Sequence, residues 1–226
     1  MATLTKRRKA FSEWSDHNKV YTIEEAVDAI DKFPAVKFDE TVEIHVDLNI
    51  DPKSSEQAVR GTVVLPHGTG KKIRIAAFCK GENLQKARDL GVELVGADDL
   101  IEKVAGGFLD FDKVVATPDM MRDLSKLGKI LGPRGLMPSP KAGTVTNDIE
   151  KVIQEVRAGR IEFRNDKQGD IHVGVGKRSF SREQLKQNIR HFISAISHAK
   201  PSSVKGAFIK NMFLSTTMGP ALKISV

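Results

Sequence analysis

The strongest constraint on this chain is a hydrophobic rhythm that changes twice. Val42, Ile44, Val46, Leu48 and Ile50 alternate with Glu43, His45, Asp47 and Asn49, the period of a strand buried on one face and polar on the other. Beyond Leu65-Pro66-His67-Gly68-Thr69-Gly70 the strands become short and almost wholly apolar and alternate with helices, the signature of a parallel sheet covered on both sides. Then Ile171, Val173 and Val175 alternate again. A one-sided sheet therefore starts before a two-sided one and resumes after it. The economical architecture is α/β plus α+β in two domains. A discontinuous α+β domain (a sheet with helices on one face, residues 1–67 and 160–226) is interrupted by an inserted Rossmann-like α/β domain (residues 68–159).

Local signals agree with that division. Thr22 with Glu25 forms a capping box for a helix carrying Ile23, Ala26, Val27 and Ile30, and Pro34 ends it. The middle reads as strand Ile73–Phe78, helix Asn83–Leu90, strand Val92–Val95, helix Asp98–Val104, strand Val114–Ala116 and helix Met120–Leu131. Asn147 with Glu150 caps a further helix that stops at Gly159. Ser181 with Gln184 caps a helix striped by Leu185, Ile189, Ile193 and Ile196, and strands Ala207–Leu214 and Leu222–Val226 follow. The two glycine-containing crossings, at 66–70 and 158–160, suit either a hinge or ordinary surface loops.

At 226 residues and 40% hydrophobic the chain can bury a real core. Its net charge of +7 is unevenly placed. Residues 1–67 carry 9 basic and 12 acidic side chains, 68–159 carry 15 and 13, and 160–226 carry 12 and 4. The last third is the part attractive to a polyanion. The lone Cys79 excludes an internal disulfide and four-thiolate metal sites and reads as a core filler in Ile75-Ala76-Ala77-Phe78. No apolar run reaches the roughly 20 residues of a membrane helix and no signal peptide opens the chain, so a cytoplasmic protein with no membrane partner is expected. The opening Lys6-Arg7-Arg8-Lys9, soon followed by Glu13 and Asp16, reads equally as an RNA-contacting arm or a solvated tail.

Motifs for chemistry fail one by one. His67–Lys72 resembles a phosphate loop, but Leu65 stands where its first glycine belongs and Lys72 replaces the hydroxyl. Gly174-Val175-Gly176 lacks the third glycine of a dinucleotide site. Histidines 17, 45, 67, 172, 191 and 198 have no metal-ligand spacing, and no nucleophile elbow is present. No cofactor, no metal and no enzymatic activity are expected, with a nucleotide-using enzyme as the rival class.

Two segments suit a nucleic acid instead. Lys37-Phe38-Asp39-Glu40-Thr41-Val42-Glu43 and Ser215-Thr216-Thr217-Met218-Gly219-Pro220 lie at strand ends and become neighbours if the terminal segments share a sheet. Hydroxyls, an aromatic and a carboxylate on rigid backbone match the 2′-hydroxyls and base edges of structured RNA, and Gly219 would admit close approach. The bland alternative is a Ser/Thr turn with Phe38 in the core. Arg164, Lys167, Lys177 and Arg178 on the strand hairpin, joined by His172, would complete the contacts. A second surface is Gly128–Lys141, where prolines exclude helix or central strand. Either Lys129, Arg134 and Lys141 touch phosphates, or Leu136 and Met137 pack on their own domain.

At these residues the chain resembles the bacterial ribosomal protein L-one family. The match rests on Val36–Glu43, on Asp51–Lys71 with Val59-Arg60-Gly61 and Leu65-Pro66, on Leu127–Asp148, and on Ser215–Gly219, and so spans essentially the whole chain. The resemblance implies a split domain gripping large-subunit rRNA at the mobile stalk and an inserted, hinged α/β domain. It also implies a role in release of exit-site tRNA and, in bacterial members, repression of their own operon mRNA. By motif the rRNA surface is Lys37, Phe38, Thr41 and Glu43 with Ser215, Thr216, Thr217, Met218 and Gly219, on a protein that is a monomer within the ribosome. The tail after Gly219 is short, which puts contacts beyond it in doubt. A free translational regulator is the third reading.

Overall fold

The structure is a computed structural model and describes residues 5–12 and 19–225. In chain order its elements are helices α1 (Lys6–Ser12) and α2 (Ile23–Lys32) and strands β1 (Thr41–Leu48) and β2 (Arg60–Val64). There follow β3 (Ile75–Phe78), α3 (Glu82–Asp89), β4 (Leu94–Gly96), α4 (Asp98–Ala105), β5 (Lys113–Ala116), the single turns α5 (Met121–Leu124) and α6 (Gly128–Leu131), and α7 (Ile149–Ala158). The chain closes with β6 (Arg160–Arg164), β7 (Asp170–Lys177), α8 (Arg182–His198), β8 (Ile209–Thr216) and β9 (Leu222–Ile224). The class is mixed α/β. Lys71–Arg160 form one compact unit, and the described residues up to Gly70 and from Ile161 onward form another.

In the unit built from both ends, the strands run β7-β1-β8-β9, all antiparallel, with β1 in the interior. The alternation seen in the sequence becomes geometry here. Val42, Ile44, Val46 and Leu48 are buried and share a core with Val27 and Ile30 of α2 and Ile189, Phe192 and Ile196 of α8. Both helices start where the sequence placed their caps: the Thr22 and Ser181 side chains accept from the backbone N–H of Glu25 and Gln184, and each capping box is complete. The opposite face, with Thr41, Glu43, His45 and Asp47, stays half-exposed.

A two-stranded ribbon of β2 and β6, absent from the sequence reading, completes this unit. Arg60-Gly61-Thr62-Val63-Val64 has too little alternation to announce a strand. Gly61 explains its place: a Cβ there would lie 2.6 Å from Phe163 Cζ, and the Phe163 ring meets Phe192 of α8 edge-on at 5.7 Å.

In Lys71–Arg160, strands β4-β3-β5 are parallel. Ile75, Ala77, Cys79 and Val115 join a cluster with Ala87 of α3 and Ile149, Val152, Ile153 and Val156 of α7. Ala76, Phe78, Val114 and Ala116 join Leu100 and Val104 of α4, Leu124 and Leu131 on the other side. The sheet is covered on both faces, which is why its strands read as continuous apolar runs. Cys79 is fully buried, and burial pushes its thiol pKa up.

Several boundaries differ from expectation: β3 and β4 each start two residues later than expected and α3 one residue earlier. The helix expected over Met120–Leu131 is broken into α5, a 3-10 turn and α6, the last opening on Gly128. The cap of α7 is Asp148, not Asn147, its carboxylate accepting from Lys151 N at 3.3 Å. Strand β8 starts two residues later than read, beyond the buried Phe208, and Val226 of the last expected strand lies outside the described residues.

Where the chain approaches the crossing at Gly70, the fully buried Asn188 of α8 clamps it. Its side chain accepts from His67 N (3.1 Å) and donates to Gly68 O (2.9 Å) and Val175 O (2.8 Å). Asn188→Ala orphans all three backbone groups, and urea unfolding should show a loss of about 2–3 kcal/mol. An unchanged midpoint would mean that water replaces the amide there.

Candidate nucleic-acid interface

Antiparallel pairing sets Val42 opposite Thr216 and Glu43 opposite Ser215, so two segments far apart in sequence meet at one end of the sheet. Reciprocal bonds clasp them. Thr41 N donates to Thr217 Oγ1 (3.0 Å), Thr217 N donates to Thr41 O (3.1 Å), and Lys177 Nζ reaches Thr41 Oγ1 at 2.9 Å. Outward from this clasp, Phe38 and Met218 are each 52% exposed, and Lys37 and Thr217 are exposed beside them in the chain. Neither the aromatic ring nor the thioether belongs to the buried core of this unit. Phe38 is therefore not a core residue.

Sequence reading missed the residue that organises this end. Glu40 is fully buried, and its Oε2 accepts from Arg178 Nη1 at 2.8 Å. Its Oε1 accepts from Met218 N at 3.0 Å and from the Thr216 hydroxyl at 3.3 Å, with Arg7 Nη2 at 3.6 Å. Arg178 Nη2 also donates to Phe33 O at 2.5 Å. Two expected contacts are thereby relocated. Arg178, named as a phosphate contact, has its guanidinium turned inward, and Thr216 is only 4% exposed. The signal that could have exposed Glu40 was an acidic residue breaking the alternation one position before β1.

Gly219 has a structural reason of its own. A Cβ there would lie 2.3 Å from Thr216 Oγ1 and 3.2 Å from Phe33 Cδ2, so the turn could not close on Phe33 with any larger residue. The arm Lys6–Lys9 is the start of α1, and Phe11 of that helix packs edge-on against Phe33 at 5.2 Å.

The other named residues are spread along the sheet. His172 pairs with His45 midway along β1, while Arg164 and Lys167 flank the β6–β7 turn beyond Asp170, which pairs with Asp47. Six residues of strand separate Thr41 from Asp47, about 20 Å at the usual rise. Arg164 and Lys167 are thus at the far end from the Thr41–Thr217 clasp. Between them, His45 Nδ1 meets His172 Nδ1 at 2.8 Å, and His45 Nε2 meets Ser215 Oγ at 2.9 Å. One imidazole donates to the other, so two full charges there would repel.

Among the described residues, one group brings metal-type ligands together: atoms of Asp166, Asp170 and His172 lie within 4.8 Å of one another. Asp166 already accepts from Gln168 N and Asp170 N, closing the β6–β7 turn, and the group is largely open to solvent. Histidine spacing along the sequence did not show this grouping, and His17 lies outside the described residues.

In the segment 128–141, Leu136 and Met137 pack against the core around Phe78 and Leu131. The expected packing of Leu136 and Met137 on their own unit is thus present, and Gly128–Leu131 is a helical turn despite the prolines that follow. Lys129, Arg134 and Lys141 are exposed.

His45 makes this surface sensitive to acid. Burial, followed by the neighbouring His172, holds its pKa below the ordinary 6.5, against the opposing pull of Glu43 and Asp170. The unfolded chain then takes up the proton first as pH falls below about 6.5, so the stability present above that pH is lost as pH drops through the lowered folded value. Unfolding midpoints at pH 7.5 and 5.5 should fall less in His45→Asn than in the wild type; equal drops would exclude His45 as the cause.

The model of the ribosomal protein L1p/L10e family matches residues 30–220. Over 226 residues the chain is 54% identical to large ribosomal subunit protein uL1 of Protochlamydia amoebophila, covering 100% of this chain and 96% of that relative. It is 53% identical over 221 residues to the uL1 protein of Thermus thermophilus, covering 97% and 96%, and 51% identical over 222 residues to that of Deinococcus radiodurans, covering 98% and 95%. With half its residues shared across nearly the full length of each relative, the chain belongs to the ribosomal protein L1p/L10e family.

Proposed function

We propose that this protein is a structural constituent of the large ribosomal subunit that binds large-subunit rRNA at the mobile stalk. Family membership supports this reading, and the family is structural and non-enzymatic. The unit built from both termini is the rRNA-binding domain, and the inserted unit is the second domain of the hinged arrangement. The single observation that carries the site is the pair of half-open apolar side chains, Phe38 and Met218, mounted beside the Thr41–Thr217 clasp.

The interface proposed is Lys37, Phe38, Thr41, Glu43, Ser215, Thr217 and Met218 at one end of the sheet, His172 along its open face, and Arg164 and Lys167 at the other end. The first group offers apolar contact, hydroxyls and a carboxylate to base edges and 2′-hydroxyls, and the distant cations offer charge to phosphates. Lys129, Arg134 and Lys141, exposed on the inserted unit, are the surface proposed for exit-site tRNA during its release. Binding an rRNA-like element in its own operon mRNA would make the same face a translational repressor.

Titration of the full chain with a stalk rRNA fragment and with random RNA over a salt series tests the assignment. Phe38→Ala and Met218→Ala should each weaken stalk binding by about tenfold with little change in salt slope, while Lys167→Ala should reduce the slope by about one. Equal affinity of the wild type for both RNAs would sink the reading.

A further inference from the structure

Resting on that reading of the interface, we propose that Glu40 is a positioning residue for rRNA recognition, a buried carboxylate that sets the backbone presenting Thr217 and Met218. Glu40 itself cannot touch RNA, since it is wholly enclosed. What it touches is the presenting turn, at two points: Met218 N at 3.0 Å and the Thr216 hydroxyl at 3.3 Å.

These two bonds bracket Thr217. With the Thr216 hydroxyl and the Met218 N–H both drawn to one oxygen, Thr217 is left pointing outward, and its own hydroxyl engages Thr41. Gly219 N closes the turn on Thr216 O at 3.0 Å. A carboxylate is suited to this work because it only accepts, and it can hold two donors on one oxygen while the other oxygen takes a guanidinium. The charge is balanced by Arg178 at 2.8 Å and by Arg7 of α1 at 3.6 Å. Glu40 thus ties the amino-terminal helix, the end of β7 and the presenting turn to one group. Asp39, its neighbour, instead accepts from Ser179 N and Ser179 Oγ at the surface (3.1 and 2.7 Å), so the adjacent carboxylate cannot substitute for it.

The predicted phenotype separates positioning from mere stability. Glu40→Gln puts an amide N–H₂ against Arg178 or against Met218 N and displaces the turn. In a folded Glu40→Gln protein, affinity for the stalk fragment should fall at least about tenfold, while affinity for random RNA and the salt slope stay at wild-type values. Amide hydrogen exchange at Met218 should rise in the same protein.

Should Glu40→Gln fail to fold, Thr216→Val decides. It preserves volume, removes only the hydroxyl donated to Glu40, and sits where RNA cannot reach. A loss of stalk affinity of about threefold is expected, the effect of one modest hydrogen bond. Met218→Ala in the same assay tests the underlying interface. If Met218→Ala weakens stalk binding but neither Glu40→Gln nor Thr216→Val does, the interface stands and the positioning role is overturned. If Met218→Ala is also without effect, the interface itself is misplaced and the proposal falls with it.

Discussion

A carboxylate with no exposure to water is held at one end of the four-stranded sheet by two arginines, and much of the local structure follows from that need. Removing a carboxylate from water costs several kcal/mol unless it is paired and its lone pairs are filled. Glu40 meets the requirement with Arg178 at 2.8 Å, Arg7 at 3.6 Å, the Met218 N–H and the Thr216 hydroxyl. Arg178 in turn is tied to the carbonyl of Phe33 at the end of α2. Four segments separated in sequence are obliged to meet here, and the turn that carries Thr217 and Met218 has little freedom left. In the proposed interface, recognition would rest on this backbone geometry, with the exposed side chains as its outward part.

Such an end suits structured RNA better than a cationic patch would. Charge draws a polyanion to a protein but does not distinguish one fold of RNA from another. Of the cations named for phosphate contact, Arg164 and Lys167 lie at the opposite end of the sheet, Arg178 faces inward, and Lys177 alone stands at this end, bonded to Thr41. The acidic Glu43, Asp47, Asp166 and Asp170 occupy the same face as His45 and His172 or its rim, which makes the middle of this surface a poor place for phosphate and a better one for donors on bases.

Much of the fold was legible from periodicity. The alternation of β1 and β7 marks one buried face, and the continuous apolar runs of β3 and β5 mark two, because each is the direct consequence of where helices cover the sheet. Both Ser/Thr capping boxes were legible for the same local reason. The β2–β6 ribbon was not, since its strand depends on Gly61 making room for a ring of Phe163 about a hundred residues away. Residue types pointed to two segments that the sheet does bring together, yet three roles depended on tertiary direction. Arg178 and Thr216 face inward, and Gly219 is required by Phe33. Glu40 carried one sign in sequence, an acid standing one position before β1 in phase with the buried Val42 and Ile44, whereas the adjacent Asp39 is out of phase.

The most direct test of the central claim uses the chain's one native thiol being buried: Cys79 is inaccessible, so a single introduced cysteine can carry a tethered iron chelate. Hydroxyl-radical cleavage of a stalk rRNA fragment would be read from Met218→Cys and, on the exposed side of α4 in the inserted unit, from Lys103→Cys. Focused cleavage of one rRNA element is expected from position 218 and none from 103. Cleavage from 103 with none from 218 would contradict the proposed interface.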